Sequence, residues 1–440
     1  MHMRIPISLS RITLLFLPSL VTAQTPPDPV ERAIVRAIDA EEQRTIDLIE
    51  TLVNINSGTM NQAGVRAVAR VLESELREVG LQPVFVPMLH VGRAGHIVVE
   101  SNPAQAPAGK RILLIGHMDT VFELGSPFQK FVREGSRGIG PGTEDMKGGL
   151  GVMISALRAL RAAGVLDRIA LRIVLTGDEE NPGLPLGEAR RPLIEAGAKS
   201  DVALEFEPGI AIDGQDYGST SRRSVQDWVI RAEARTGHSG QIFSEAMGSG
   251  AAFEIARILN AFREELRELY LTFNAGMVMA GARATPAENE SSGSVAGKFN
   301  IIPEQAFVAG DLRTISPEQN RRIQDKMRAI VARHLPGTTA SIEFRDGFPP
   351  MAPERNRGLL AQLNAVNRDL GLPEMPELDP MRRGGGDIAF VADAIEGLAG
   401  FGSIGDGAHA PGEWIDLTRL PRQGKRAAVL IYRLGTKGRP

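Results

Sequence analysis

Short apolar runs that end in charged side chains constrain this chain more than any other feature. Residues 112–115 and 169–175 read as buried strands, and each runs into a glycine followed by polar groups, Gly116-His117-Met118-Asp119 and Gly177-Asp178-Glu179-Glu180. Open α/β sheets build their sites at such strand ends. Between the two lies a glycine-rich loop, Gly140-Pro141-Gly142-Thr143-Glu144-Asp145, with a further carboxylate ahead of a helical pattern. Strand signals over 83–86, 96–100, 111–115, 169–175 and 201–206 alternate with helical ones over 31–54, 62–79, 147–163 and 188–196. The alternation predicts an α/β fold, a mostly parallel sheet covered by helices.

After residue 221 the pattern changes. Strands over 225–234, 270–280, 293–299, 305–312 and 338–344, with helices over 249–269 and 317–334, predict an inserted two-layer α+β domain of βαββαβ character. Helices over 356–370 and 417–434 return the chain to the first layer. Domain boundaries follow at 24–221 and 348–440 for the main layer and 222–347 for the insert.

The N-terminus carries Arg4 and Arg11 ahead of an apolar stretch over 12–21 that ends Val21-Thr22-Ala23, so residues 1–23 read as a signal peptide. The stretch is too short to span a bilayer, which takes about 20 residues. An exported protein is expected, periplasmic or secreted, with no membrane contact after cleavage. Without Arg4 and Arg11 the chain has 48 basic against 53 acidic residues and no basic cluster, so nucleic acid is not an expected partner. Cysteine is absent, which leaves His, Asp and Glu as the only metal ligands available.

Those residues are present in a telling order. His117 supplies an imidazole; Asp119, on the same side of an extended strand, can accept its other N–H and orient it. Asp145 can bridge two ions. Glu179 and Glu180 are adjacent and point opposite ways if extended, which lets one bind metal while the other faces a water. Glu205-Phe206-Glu207-Pro208 ends the next strand, and Gly407-Ala408-His409-Ala410-Pro411-Gly412-Glu413 supplies a late histidine. Two His, one Asp and two Glu are what two zinc ions sharing a carboxylate need. His90, His96 and His334 match nothing and read as structural.

The order His117-x-Asp119, Asp145, Glu179-Glu180, Glu207 and His409, with an insert before the last, resembles the zinc-dependent metallopeptidase family of glutamate carboxypeptidases, aminoacylases and succinyl-diaminopimelate desuccinylases. The likeness is greatest to its exported bacterial glutamate carboxypeptidases, through Phe206-Glu207-Pro208, Asn300-Ile301-Ile302-Pro303, Asp311-Leu312-Arg313 and Gly384-Gly385-Gly386. The resemblance implies two Zn2+ per subunit, bridged by Asp145, with His117 and Glu207 completing one site and Glu180 and His409 the other. Glu205 rivals Glu207 as ligand, and the Glu-Pro match favours Glu207. Glu179 would be the general base, and Asp119, which orients His117, a further catalytic residue. A cis peptide between Asp145 and Met146 is implied as well. The insert would be a lid and dimerisation domain of a homodimer, with His238 polarising the scissile carbonyl and Asn300 and Arg313 holding substrate. Gly385 would allow close approach of backbone to substrate.

The implied activity is cleavage of the amide bond to a C-terminal amino acid of peptides or N-acyl amino acids. An N-acyl-amino-acid deacylase or an aminopeptidase would use the same site, and an inactive metal-dependent binding protein is the non-enzymatic alternative. Two departures bear on substrate: residues 209–221 lack the lysine of the glutamate-specific members, and Gly347-Phe348-Pro349 stands where they carry Gly-Arg-Pro. Phe348 therefore predicts an apolar leaving side chain, unless Arg222, Arg223, Arg382 or Arg383 reaches the pocket instead.

Overall fold

A computed structural model describes residues 28–101, 109–288 and 290–437; the signal peptide expected over 1–23 lies outside them. Six strands form the main sheet, in the order Val84–Pro87, Gly95–Ser101, Leu171–Thr176, Ile112–His117, Val202–Glu205, Glu396–Leu398. The last four run parallel, and the first two pair antiparallel at one edge. The mostly parallel α/β layer expected from the sequence is the one found.

Burial on both faces explains why the central strands are continuously apolar. In Ile112–His117, Ile112 and Leu114 join a core with the helices Glu42–Val53, Gly148–Ala162 and Leu420–Thr436. Leu113 and Ile115 point the other way, into a core with Leu193, Met351 and Ile388. The single helix expected over 31–54 is two, Pro29–Ala40 and Glu42–Val53, broken at Glu41, and each half packs on Gly148–Ala162. Asp28 caps the first through the Val30 amide at 2.9 Å, with Pro29 at its first turn.

The second layer is a four-stranded antiparallel sheet ordered Thr272–Gly281, Gln305–Arg313, Gln226–Ala234, Thr338–Phe344. The helices Ala251–Glu265 and Pro317–Val331 cover one face, around Trp228, Ile258, Phe262, Val308 and Met327. The strand expected over 293–299 does not join this sheet. Gly293–Ala296 instead pairs with Arg283–Pro286 as a separate hairpin, because Arg283–Pro286, which the hydrophobic pattern does not mark as a strand, offers it a local antiparallel partner. The helix expected to run to residue 269 stops at Glu265, and Tyr270 turns the chain at φ 61° into the next strand. Two connections join the layers side by side, with Arg222 facing Met351 and Val225 facing Phe348.

One close approach sets the geometry below. Helix Gly148–Ala162 lies so near the strand end at Phe206 that a Cβ on Gly149 would sit 1.9 Å from the Phe206 carbonyl oxygen. Gly149→Ala must therefore push the loop carrying Asp145 away from the segment carrying Glu207. It is expected to cost about 1–3 kcal/mol, read as a lower denaturant midpoint.

Candidate metal centre

Three adjacent parallel strands end at one place. His117 closes Ile112–His117, Asp178 to Glu180 follow Leu171–Thr176, and Glu207 lies two residues beyond Val202–Glu205. The Asp145 loop and the His409 turn complete the cluster. His117 Nε2 lies 2.9 Å from Asp145 Oδ1 and 3.0 Å from Glu207 Oε1. His409 Nε2 lies 3.3 Å from Asp145 Oδ2 and 3.2 Å from Glu180 Oε2. Asp145 thus turns one oxygen to each imidazole. The Asp145–Met146 peptide is cis.

Glu205 and Glu207 face different partners. Both lie near Arg222 Nη2, at 3.1 and 2.8 Å, but Glu205 accepts the Ile388 amide at 2.8 Å with its other oxygen, whereas that of Glu207 reaches His117. For Asp119 the geometry differs from the simple expectation: His117 Nδ1 is nearer the Asp119 carbonyl oxygen, 3.1 Å, than its carboxylate, 3.5 Å. The carboxylate accepts the Thr59 hydroxyl at 2.6 Å and the Glu179 and Glu180 amides at 3.0 and 3.1 Å. It fixes the loop bearing both glutamates.

Asp145, Glu179, Glu180, Glu207 and His409 line a cavity of about 420 Å³, together with Arg313, Phe348 and Gly385. A larger cavity of about 990 Å³, near Leu269, Tyr270 and Pro353, contains none of the cluster. His238 and Asn300 are exposed and off the wall of the smaller cavity. They are neighbours in the second layer, where the Ser239 amide donates to the Asn300 carbonyl at 2.9 Å and His238 faces Ile301.

The crowding of acids shows in their protonation. Burial pushes Glu179 well above the ordinary carboxyl range, with Glu207, Asp387 and Glu180 adding to the effect against His117. Burial likewise takes Glu180 up to about 7. Hydrogen bonds to Asp145 and Glu180 lift His409 to about 11. For Asp145, burial alone would raise the pKa, but His117 and His409 hold it low. Such a cluster calls for positive charge, and divalent cations would supply it by displacing these protons.

The residues fit such ions. Ligand atoms of His117, Glu179 and Glu207 lie within 4.8 Å of one another, as do those of His117, Asp145 and Glu180. Glu180 Oε1 is buried without a hydrogen-bond partner. Nitrogen and oxygen donors alone suit zinc and other first-row ions.

Two supports escaped the sequence reading. His96, read only as structural, accepts the Gly177 amide at 3.1 Å through Nδ1 and bonds the Ala189 carbonyl at 2.8 Å through Nε2, so it anchors the loop leading to Glu179. Glu413, fully buried, accepts the Gly142 amide at 3.1 Å, the Glu144 amide at 2.6 Å and the Asp145 amide at 2.9 Å. Its nearness to His409 in sequence was the available signal. Glu413→Ala removes the acceptor of three backbone N–H bonds, worth about 0.5–1.5 kcal/mol each. A folded protein with substoichiometric metal by elemental analysis is the expected result.

Comparison with known proteins places this geometry. Residues 113–433 match the model of peptidase family M20/M25/M40. Carboxypeptidase G2 of Pseudomonas sp. (strain RS-16) is 29% identical over 431 residues, 92% of this chain and 92% of its own length. Succinyl-diaminopimelate desuccinylase of Variovorax paradoxus (strain S110) is 24% identical over 391 residues, 86% of this chain and 94% of its own. Among solved structures, a dinuclear metal-binding peptidase of the M20 family from Bacillus subtilis aligns with a TM-score of 0.62 at 17% identity, covering 90% of this chain and 98% of its own. A tripeptidase from Staphylococcus aureus aligns at 0.67 and 16%, with coverages of 90% and 98%. At such identities the solved structures speak for the fold.

Proposed function

Because the chain belongs to peptidase family M20/M25/M40, we propose that it is a two-metal carboxypeptidase, with zinc as the expected ion, that releases a C-terminal amino acid from peptides or N-acyl amino acids. The observation that carries this reading is the convergence of Asp145, Glu179, Glu180, Glu207 and His409 on a cavity that also holds Arg313, a cation for the substrate α-carboxylate. The likeness to carboxypeptidase G2 favours it further. Likeness to desuccinylases supports a second reading, an N-acyl-amino-acid deacylase acting on the same kind of bond.

His117 and Glu207 would hold one ion, Glu180 and His409 the other, and Asp145 both. Bound divalent cations would lower the pKa of water towards about 7 and polarise the scissile carbonyl. Glu179, raised by burial, takes the proton of the attacking water and passes it to the leaving nitrogen. Asp119 keeps Glu179 and Glu180 in place through their amides. Gly385 lets the substrate approach backbone closely. Phe348 and Val225 on the cavity wall would support an apolar leaving side chain, while Arg222 and Arg383 on the same wall work against it.

Residues 222–347 would act as lid and dimerisation domain. The exposure of His238 and Asn300 away from the cavity supports their serving the neighbouring subunit of a homodimer. The segment over 1–23 supports export to the periplasm or beyond, and no helix among the described residues is long and apolar enough to cross a membrane.

Glu179→Ala is expected to keep both metals by elemental analysis and to lose at least about a thousandfold in kcat; loss of metal would instead make Glu179 a ligand. Mixing inactive His238→Ala and Glu179→Ala subunits should restore turnover, since a mixed dimer holds one site with both groups. Heterodimers that stay inactive would place His238 outside the partner's site.

A further inference from the structure

Three segments of the chain run from the catalytic cavity into a second cavity of about 780 Å³. Glu179 and Glu180 line the first, and Pro182, Leu184 and Leu186, farther along the same loop, line the second. Val225 and Phe348 line both, while Asp227 and residues 343–347 line the second alone. The two spaces therefore share a wall where the Val225 amide donates to the Phe348 carbonyl at 3.0 Å, at the join of the two layers. Alternation along Gln226–Ala234 turns Trp228 into the helix-covered core and Asp227 away from it, which is why this strand lends a carboxylate to the space. Four carboxylates, those of Asp227, Glu290, Glu343 and Asp346, meet one guanidinium, that of Arg345. Arg345 is engaged by Glu343 and, at 2.9 Å, by Glu290, which Arg231 also reaches at 2.6 Å. Asp227 and Asp346 are exposed and form no ion pair or side-chain hydrogen bond among the described residues. Desolvation and Asp311 raise the Asp227 pKa in spite of Arg313 and Arg345, so its charge is under-compensated. Beside them Leu184, a large apolar side chain, is 68% exposed.

A leaving amino acid ends at its α-carboxylate, for which the catalytic cavity already holds Arg313. What continues past the shared wall is the other half of the substrate. We propose that the second cavity binds the peptidyl part of the substrate, the residues N-terminal to the scissile bond, and that Asp227 and Asp346 select a cationic side chain there. The inference rests on the carboxypeptidase reading above. It makes the substrates peptides of at least three residues rather than amino acids bearing a short acyl group. Leu184 packs on the aliphatic stem of the basic residue, whose methylenes are covered while its charged end stays near water and the two carboxylates. An extended peptide advances about 3.3–3.6 Å per residue, so each residue added upstream of the scissile bond reaches farther into this space.

The test is kcat/KM of the zinc-loaded, full chain for N-acetyl-X, N-acetyl-Ala-X and N-acetyl-Y-Ala-X, with Y lysine, norleucine or glutamate. X is held the same throughout, as phenylalanine or glutamate, whichever is released faster from N-acetyl-Ala-X. Release of X from any of them sustains the carboxypeptidase reading, and release from none would sink that reading itself; the ratios address the second cavity. kcat/KM should rise with length, and lysine at Y should exceed norleucine about three- to tenfold and glutamate by more, the scale of partly exposed charge pairs. Salt at about 1 M should erase most of the lysine preference. In the double variant Asp227→Asn, Asp346→Asn the lysine-to-norleucine ratio should fall to within about twofold of one. Stronger product inhibition by N-acetyl-Lys-Ala than by N-acetyl-norleucyl-Ala is expected too, a readout of binding rather than turnover. Equal kcat/KM for lysine and norleucine, no gain with length beyond N-acetyl-X, or a ratio unmoved in the double variant would overturn the proposal. A larger lysine preference with lysine in the place of X than at Y would assign the cavity to the leaving side and overturn it as well.

Discussion

The site depends on one carboxylate that need not touch metal. Asp119 is fully buried, and its two oxygens take the Thr59 hydroxyl and the consecutive amides of Glu179 and Glu180. Burial acts to raise its pKa, but His117, Thr59 and the Glu180 amide together hold it low, so it stays ionised. Two adjacent amides held by one rigid acceptor keep both glutamate side chains on the wall of one cavity. The strand bearing His117 is thereby locked to the loop bearing Glu179 and Glu180. Glu413 repeats the device with the Gly142, Glu144 and Asp145 amides. Both loops are held by buried carboxyl groups that accept consecutive backbone amides.

Crowding carboxylates has a cost that the fold meets in layers. Arg190, completely buried, bonds Asp178 at 2.6 Å and Asp387 at 2.7 Å behind the Glu179 loop, and Asp387 also takes the Thr176 hydroxyl. Arg222 answers Glu205 and Glu207. These pairs partner Asp178, Asp387, Glu205 and one oxygen of Glu207, and leave Asp145, Glu179, Glu180 and the other Glu207 oxygen for a bound cation to meet. Removing one partner of such a buried pair is far more damaging than the pair is stabilising, commonly about 3–5 kcal/mol.

The two layers meet at the residues that shape the cavity. Val225 and Phe348 lie on the paired connections between the sheets, and Arg222 lies on one of them. Any change in the angle between layers moves these side chains relative to the strand ends, while Glu179 and Glu180 stay fixed by Asp119.

The sequence by itself determined the parallel layer, the inserted antiparallel layer and the residues that gather at the strand ends. Continuous apolar runs and period-two alternation are local signals, and a strand that must be buried on both faces has few other places to go. The motifs around His117, Asp145, Glu179-Glu180 and Glu207 were legible for the same reason, each ending a strand or opening a helix, and His409 through its glycine-rich turn. Only the tertiary structure decided which nearby group each would meet. It turned Glu205 to the Ile388 amide and Glu207 to His117, gave His96 and Glu413 their anchoring bonds, and set the hairpin of residues 283–296 apart from the sheet. It also put Arg383 in the cavity and left Arg382 outside, although the two are adjacent and identical in type. Local patterning records whether a side chain is apolar or charged. Which buried donor meets which acceptor is fixed by contacts between segments far apart in the chain, and no local signal carries that.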